Sequence, residues 1–173
     1  MGVRTRRAGQ SGEQATVVPV SGSEASTTSA SASTGAVGLV AIVETPLSVE
    51  QVLASVDTPG AGGHAVFVGT VRDHDAGRAV EQLEYTAHPS ALAELRSVVA
   101  DAAARPGVMA AAAVHRVGLL AIGDQAVVVA CAGAHRAEAF EACADLIEAL
   151  KHRVPIWKEQ WFADGTSEWV AGL

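Results

Sequence analysis

Nine of the chain's twelve Lys and Arg residues fall between positions 36 and 173, and most of them gather with histidines at a few points. Arg72 and His74 close one apolar run, His115-Arg116 end another, and His135-Arg136 open a long segment that Lys151, Arg153 and Lys158 bracket at its far end. The same stretch holds 17 Asp and Glu and so carries a net charge of −8. In such an acidic body these cations are either neutralised by carboxylates or converge on something anionic.

Each group has two readings. His135-Arg136 stands where a strand gives way to a helix, so free backbone N–H groups and the positive helix end add to a guanidinium, which suits a phosphate; otherwise Arg136 pairs with a nearby acid such as Glu138. Arg72 at a strand end is either a ligand or a salt-bridge residue. His115-Arg116 reads first as a structural pair. Lys151 lies in a helix's last turn, where the macrodipole alone favours a cation by ~0.3–1 kcal/mol. Lys158 follows Pro155-Ile-Trp157, an apolar extended stretch. An amine desolvated there is a candidate acid, base or nucleophile; the alternative is a lysine whose stem packs on Trp157. Lys151 and Lys158 are the only lysines in 173 residues.

The elements that must position these side chains follow from periodicity and punctuation. Gly38 to Val43 reads as a strand, and Ser48 with Gln51 three residues on is a capping-box start for a short helix to about Val56. His64 to Val71 and Val80 to Ala87 read as strands around the polar loop Asp73–Arg78. Pro89 suits the first turn of a helix from Ser90 to Ala104, closed by Pro106-Gly107. Val108–Val117 and Gln125–Ala132 are β-rich, with a turn near Gly123-Asp124. Arg136–His152 carries apolar residues at 140, 143, 147 and 150, a helical rhythm. Ile156–Phe162 and Glu168–Val170 read as strands around the Asp164-Gly165 turn. Hairpins mixed with helical crossovers indicate an α+β fold.

Composition narrows the class. The length, 173 residues, suits one domain. Residues 1–35 are rich in Ser, Thr, Gly and Ala and bury too little to offset their ordering entropy, so they are expected to be a disordered N-terminal extension ahead of one domain at 36–173. A formal charge of −7 argues against a general nucleic-acid or anionic-membrane binder. No run is long enough for a membrane span, and the basic N-terminus lacks the apolar segment of a secretory signal. Cys131 and Cys143 are read as reduced core thiols. Phosphate loops, dinucleotide fingerprints, zinc-protease motifs and nucleophile elbows are all missing from the sequence.

Seven stretches in order carry a resemblance: Phe67-Val-Gly-Thr-Val-Arg72-Asp-His74, Leu83-Glu-Tyr85, His115-Arg-Val-Gly118, Ala134-His-Arg136 with Ala139-Phe140, Leu150-Lys151, Pro155-Ile-Trp-Lys158 and Trp169-Val170. Together, over roughly residues 37–170, they are similar to the large, catalytic subunits of molybdopterin synthase, the MoaE family. The resemblance implies an α/β hammerhead with an additional antiparallel β-sheet subdomain. It also implies a cytoplasmic sulfurtransferase of molybdenum cofactor biosynthesis, which converts cyclic pyranopterin monophosphate (precursor Z) into molybdopterin by installing two sulfurs.

The sulfur would arrive as a thiocarboxylate on the C-terminal Gly-Gly of a small ubiquitin-like partner of the MoaD type. The large subunit would form a homodimer within a heterotetramer, its pocket built from both copies. On the matching positions, Lys151 would sit beside the incoming tail and Lys158 would complete the catalytic site. Arg72, His135 and Arg136 would hold the phosphate, with Thr70, Val71, Glu159 and Gln160 lining the substrate pocket. Neither a metal nor a cofactor is implied.

Two departures stand out. Lys158 is followed by Glu159-Gln160 where many members have a basic residue and then Glu, and Leu173 stands where some relatives carry Arg in a longer basic segment. The second of these motivates an alternative: a non-catalytic scaffold that binds the ubiquitin-like partner.

Overall fold

Alanine sets how closely the central layers approach. The structure, a computed structural model, describes residues 34–171. Strands β1 (Ala36–Val43), β2 (Gly63–Thr70), β5 (Val108–Arg116) and β7 (Gln125–Gly133) form a four-stranded sheet in the order β1-β5-β7-β2. β1 runs parallel to β5, and the other two pairings are antiparallel. Successive strand side chains point to opposite faces. Ala111, Ala113, Val127, Val129 and Cys131 accordingly face helices α2 (Ala91–Ala103) and α3 (Arg136–Arg153), while Ala110, Ala112, Val114, Val128, Ala130 and Ala132 face α1 (Val49–Ala54). Both faces are covered, so β5 and β7 read as nearly unbroken small apolar runs rather than as alternation.

Leu95, Val98 and Val99 of α2 and Leu146 and Leu150 of α3 fill the space over the sheet. Each such leucine, wholly removed from water, contributes roughly 1.5–3 kcal/mol. The buried face of α3 is Ala139, Ala142, Cys143, Leu146, Ile147 and Leu150. The rhythm read through residue 140 is therefore corrected by one position, because Phe140 is exposed and Ala139 takes its place inside. Both cysteines are free and buried. Contact with Cys143 and then burial push the Cys131 thiol up, so it stays protonated.

A second sheet carries β3 (His74–Asp75), β4 (Arg78–Ala87), β8 (Ile156–Phe162) and β9 (Ser167–Ala171) in that order, with β6 (Gly118–Leu120) pairing β4 as well. β8 follows α3 through Val154-Pro155, so the helix that ends near Lys151 delivers Lys158 into this sheet. The architecture is α+β, a layered α/β body with an additional antiparallel sheet.

Three helices and seven of the nine described strands match the expected positions within a few residues. Ser48 caps α1 as its spacing predicts, its hydroxyl accepting from the Gln51 N–H at 3.2 Å. β3 and β6 were not anticipated. Both are too short to show alternation, and β6 begins at Gly118, whose φ of +84° breaks the chain away from β5. Of the expected extension, residues 1–33 lie outside the described residues. Gly35 already donates its N–H to the Ala103 carbonyl at 2.9 Å, ahead of β1. Among the described residues no helix is long and apolar enough to cross a membrane.

Candidate active site

A cavity of about 480 Å³ opens where the end of β2, the second sheet and the last turn of α3 meet. Thr70, Val71, Arg72, Lys151, Lys158 and Gln160 all line it, as do His74, Asp75, Tyr85 and His115. Six of the nine expected site residues are thus brought together.

Local structure explains how. On β8, residues 156, 158, 160 and 162 share one face, and Ile156, Gln160 and Phe162 on that face are buried. Lys158 is drawn inward with them, its side chain only 18% exposed. It stands opposite Tyr85 on β4 and Val170 on β9. Lys151 approaches from α3, one residue past the buried Leu150, with Glu148 one turn back at 4.0 Å. Arg72 extends from the end of β2, where Val71 is tied down by an N–H bond to the Asp124 carbonyl at 2.9 Å.

Asp75 joins these groups. Nε2 of Gln160 donates to its Oδ2 at 2.7 Å and Nη2 of Arg72 donates to its Oδ1 at 3.1 Å, while Nζ of Lys158 lies 3.9 Å from Oδ2. The Gln160 hydrogen bond, helped by the charges of Lys158 and Arg72, holds the Asp75 carboxyl below its usual range. It is an anion at any ordinary pH.

His115 is fully buried. Its Nδ1 lies 2.8 Å from the carbonyl oxygen of Arg116, so Nδ1 carries the proton and donates, and Nε2 is left as an acceptor with no protein partner. Burial depresses its pKa to about 4, against the opposing pull of that carbonyl, and the ring is neutral. Burial likewise pushes the Tyr85 hydroxyl up. Arg116 behaves as the structural partner expected of it, donating to Asp124 at 3.1 Å.

Three expected site residues lie elsewhere. Glu159 takes the opposite face of β8 from Lys158 and does not line the cavity. His135 is the N-cap of α3 and Arg136 its first residue, both exposed. Lys151 belongs to the last turn of the same helix, and at about 1.5 Å per residue the two ends are roughly 22 Å apart. Arg136 does not pair with Glu138, and among the described residues no carboxylate lies within 4 Å of it.

Asp75 and Tyr85 carry no site role in the residue-by-residue reading, and His115, read as half of a structural pair, lines the cavity instead. The signal for Asp75 was present, a carboxylate three residues after Arg72 in a turn. Its other partner, Gln160, is 85 residues away.

The arrangement suits an anionic substrate: two lysine amines and a guanidinium around a cavity whose one carboxylate among the described residues, Asp75, is already engaged. A neutral imidazole acceptor sits beside them. Such a site can bind, orient and exchange protons with an anion.

The family model described as MoaE protein matches residues 42–153. The chain is 44% identical over 137 residues to molybdopterin synthase catalytic subunit 1 of Mycobacterium tuberculosis, covering 79% of this chain and 92% of that one. It is 41% identical to the molybdopterin synthase catalytic subunit of a Nostoc species, covering 76% and 81%. The crystal structure of molybdopterin synthase from Staphylococcus aureus superposes with a TM-score of 0.69 at 36% identity, covering 75% of this chain and 94% of that one.

Proposed function

The chain belongs to the MoaE protein family, and from that premise we propose that it is the catalytic subunit of a molybdopterin synthase, a sulfurtransferase subunit that converts precursor Z into molybdopterin. The sulfur donor is the C-terminal thiocarboxylate of a small ubiquitin-like carrier. Installing two sulfurs consumes two thiocarboxylates and returns two carboxylates. The observation that carries this reading is the convergence of Arg72, Lys151 and Lys158 on one cavity of a net-negative body.

A cyclic phosphate and a thiocarboxylate tail are both anions. An acidic protein attracts them to one place only by concentrating cations there, and fixed charges in a partly dry cavity act more strongly than the same charges in water. Lys151, the more open of the two lysines, receives the tail, and Lys158, set deeper, transfers protons at the reacting pterin. Arg72, at the cavity's rim and paired with Asp75 through Nη2, binds phosphate with the guanidinium N–H groups that this pairing leaves free.

His135 and Arg136 bind phosphate as well, but in the cavity of a second copy. They lie at the far end of α3 from their own chain's lysines, where free helix N–H groups add to the guanidinium. A homodimer with one small carrier per large subunit satisfies both requirements. Thr70 and Val71 shape the cavity wall, and Glu159 has no part in it.

Mixing the purified chain with thiocarboxylated carrier and precursor Z should yield molybdopterin, while the plain carboxylated carrier should yield none. Carrier binding without product, in a single-turnover measurement, would mark a non-catalytic scaffold instead.

A further inference from the structure

Asp75 ends β3 just before Ala76 and Gly77, whose φ angles of 47° and 80° both fall in the left-handed region. A two-residue turn of this kind matches the twist of a hairpin, and it brings Asp75 opposite Arg78. The tight turn fixes the direction of the Asp75 side chain. Gln160, 2% exposed on β8, then fixes its carboxylate at 2.7 Å.

What that carboxylate holds comes from two other elements: Arg72 from the end of β2 and Lys158 from the middle of β8. Two cations sharing a cavity repel, and neither has another carboxylate within 4 Å among the described residues. The titratable and charged groups lining the cavity with Lys158 are Arg72, His74 and Asp75, Tyr85 on β4, His115 on β5 and Lys151 on α3. Asp75 is the one carboxylate among them. The neighbouring Glu84 and Glu159 take the other face of the sheet.

We propose that Asp75 is a positioning residue of this site: held by Gln160, its carboxylate anchors the Arg72 guanidinium and the Lys158 ammonium and keeps both at the cavity as anionic ligands come and go. This deepens, and rests on, the reading of the cavity as the sulfur-transfer site. The uncharged Gln160 is essential to the arrangement, because a second carboxylate beside Asp75 would repel the first and a hydrocarbon would leave it free to swing.

The chain's two lysines make the test direct. In the full chain labelled with ¹³C-lysine, two side-chain resonances are followed by NMR against pH and assigned with Lys151→Arg and Lys158→Arg. Asp75→Asn keeps the shape and removes the charge, and a unit charge near 4 Å moves a titration midpoint by about half a pH unit or more even when well solvated. The Lys158 midpoint should fall by at least that much and the Lys151 midpoint by less. Asp75→Asn with Gln160→Glu returns one carboxylate to the same network from the other strand and should restore the midpoint. Gln160→Met should shift it in the same direction as Asp75→Asn but less. An unmoved Lys158 midpoint in Asp75→Asn, or no recovery in the double variant, overturns the proposal. In the reconstituted assay kcat should drop about ten-fold in Asp75→Asn and recover in the double variant, with KM for the carrier within about two-fold. A wild-type chain that makes no product counts against the sulfur-transfer reading, whereas the NMR titration decides the role of Asp75 by itself.

Discussion

The rings of Tyr85 and His115 meet nearly at right angles, 82°, with centroids 5.0 Å apart. An edge-to-face pair of this kind seals the inner wall of the cavity with a neutral imidazole.

Neutrality there makes stability depend on pH. In the unfolded chain the imidazole takes up a proton near pH 6.5, whereas in the folded chain it resists protonation until about pH 4. The unfolded state therefore binds more protons in that window. The contribution is intact above pH 6.5 and is lost as pH falls towards 4, by about 3 kcal/mol in all. His115→Leu should be less stable at pH 7, since the Arg116 carbonyl loses its donor, but should lose roughly 2–3 kcal/mol less than the wild type between pH 7 and pH 4. Urea midpoints at the two pH values measure this, and equal losses would mean that His115 is not held neutral.

Truncating the lysines should separate chemistry from folding. Among the described residues Lys151 pairs only with Glu148, at 4.0 Å, so Lys151→Ala should change stability by no more than about 0.5 kcal/mol. Proton transfer and anion binding by a placed amine are worth about 10²–10⁴-fold, and Lys151→Ala and Lys158→Ala should each slow product formation by that order in a single-turnover assay. Full rates in both variants would remove the lysines from the reaction.

How much of this was legible in the sequence depends on the range over which each signal acts. Capping at Ser48 and the strand and helix runs are local, and they were readable. The convergence of Arg72, Lys151 and Lys158 was readable only as clustering along the chain and through the family motifs, because the sheet order that brings β2, β8 and the end of α3 together is non-local. Asp75 lies in the polar loop Asp73–Arg78, where an acid is ordinary. Nothing within its own segment announces Gln160, which is held in place by burial between Ile156 and Phe162 on β8. His115 was read with Arg116 as a structural pair, which is right for Arg116; the histidine's inward direction follows from the alternation that begins at Ala111 and Ala113. Phe140 shows the limit of periodicity in an alanine-rich helix, where Ala139 fills the core as well as a large residue would and a one-residue shift costs the pattern nothing.

Close approach rather than turn geometry requires Gly133. A Cβ there would stand 2.6 Å from the Ala139 nitrogen and 2.8 Å from the His135 oxygen, both backbone atoms of the start of α3, so no side-chain motion relieves the clash. Gly133→Ala should cost about 1–3 kcal/mol, read as a lower denaturant midpoint. Gly60→Ala offers the contrast. Its Cβ would meet only the terminal methyl of Met109, which can turn away, and the midpoint should barely move.

The position of Arg136 leads to the sharpest prediction about assembly. If His135 and Arg136 of one copy serve the cavity of another, then Lys158→Ala and Arg136→Ala damage different copies' contributions to a single pocket. Each variant alone gives dimers in which both pockets are defective. When the two chains are mixed and allowed to exchange, a heterodimer has one pocket with Lys158 from one chain and Arg136 from the other, and one pocket lacking both. Random pairing makes half the dimers hetero, so activity should return to about a quarter of the wild-type value in the mixture. Were the pocket built from a single chain, each pocket in the mixture would still carry one defect, and activity would stay at the average of the two variants. Product formation before and after subunit exchange, with dimer content followed by native mass spectrometry, separates the two arrangements.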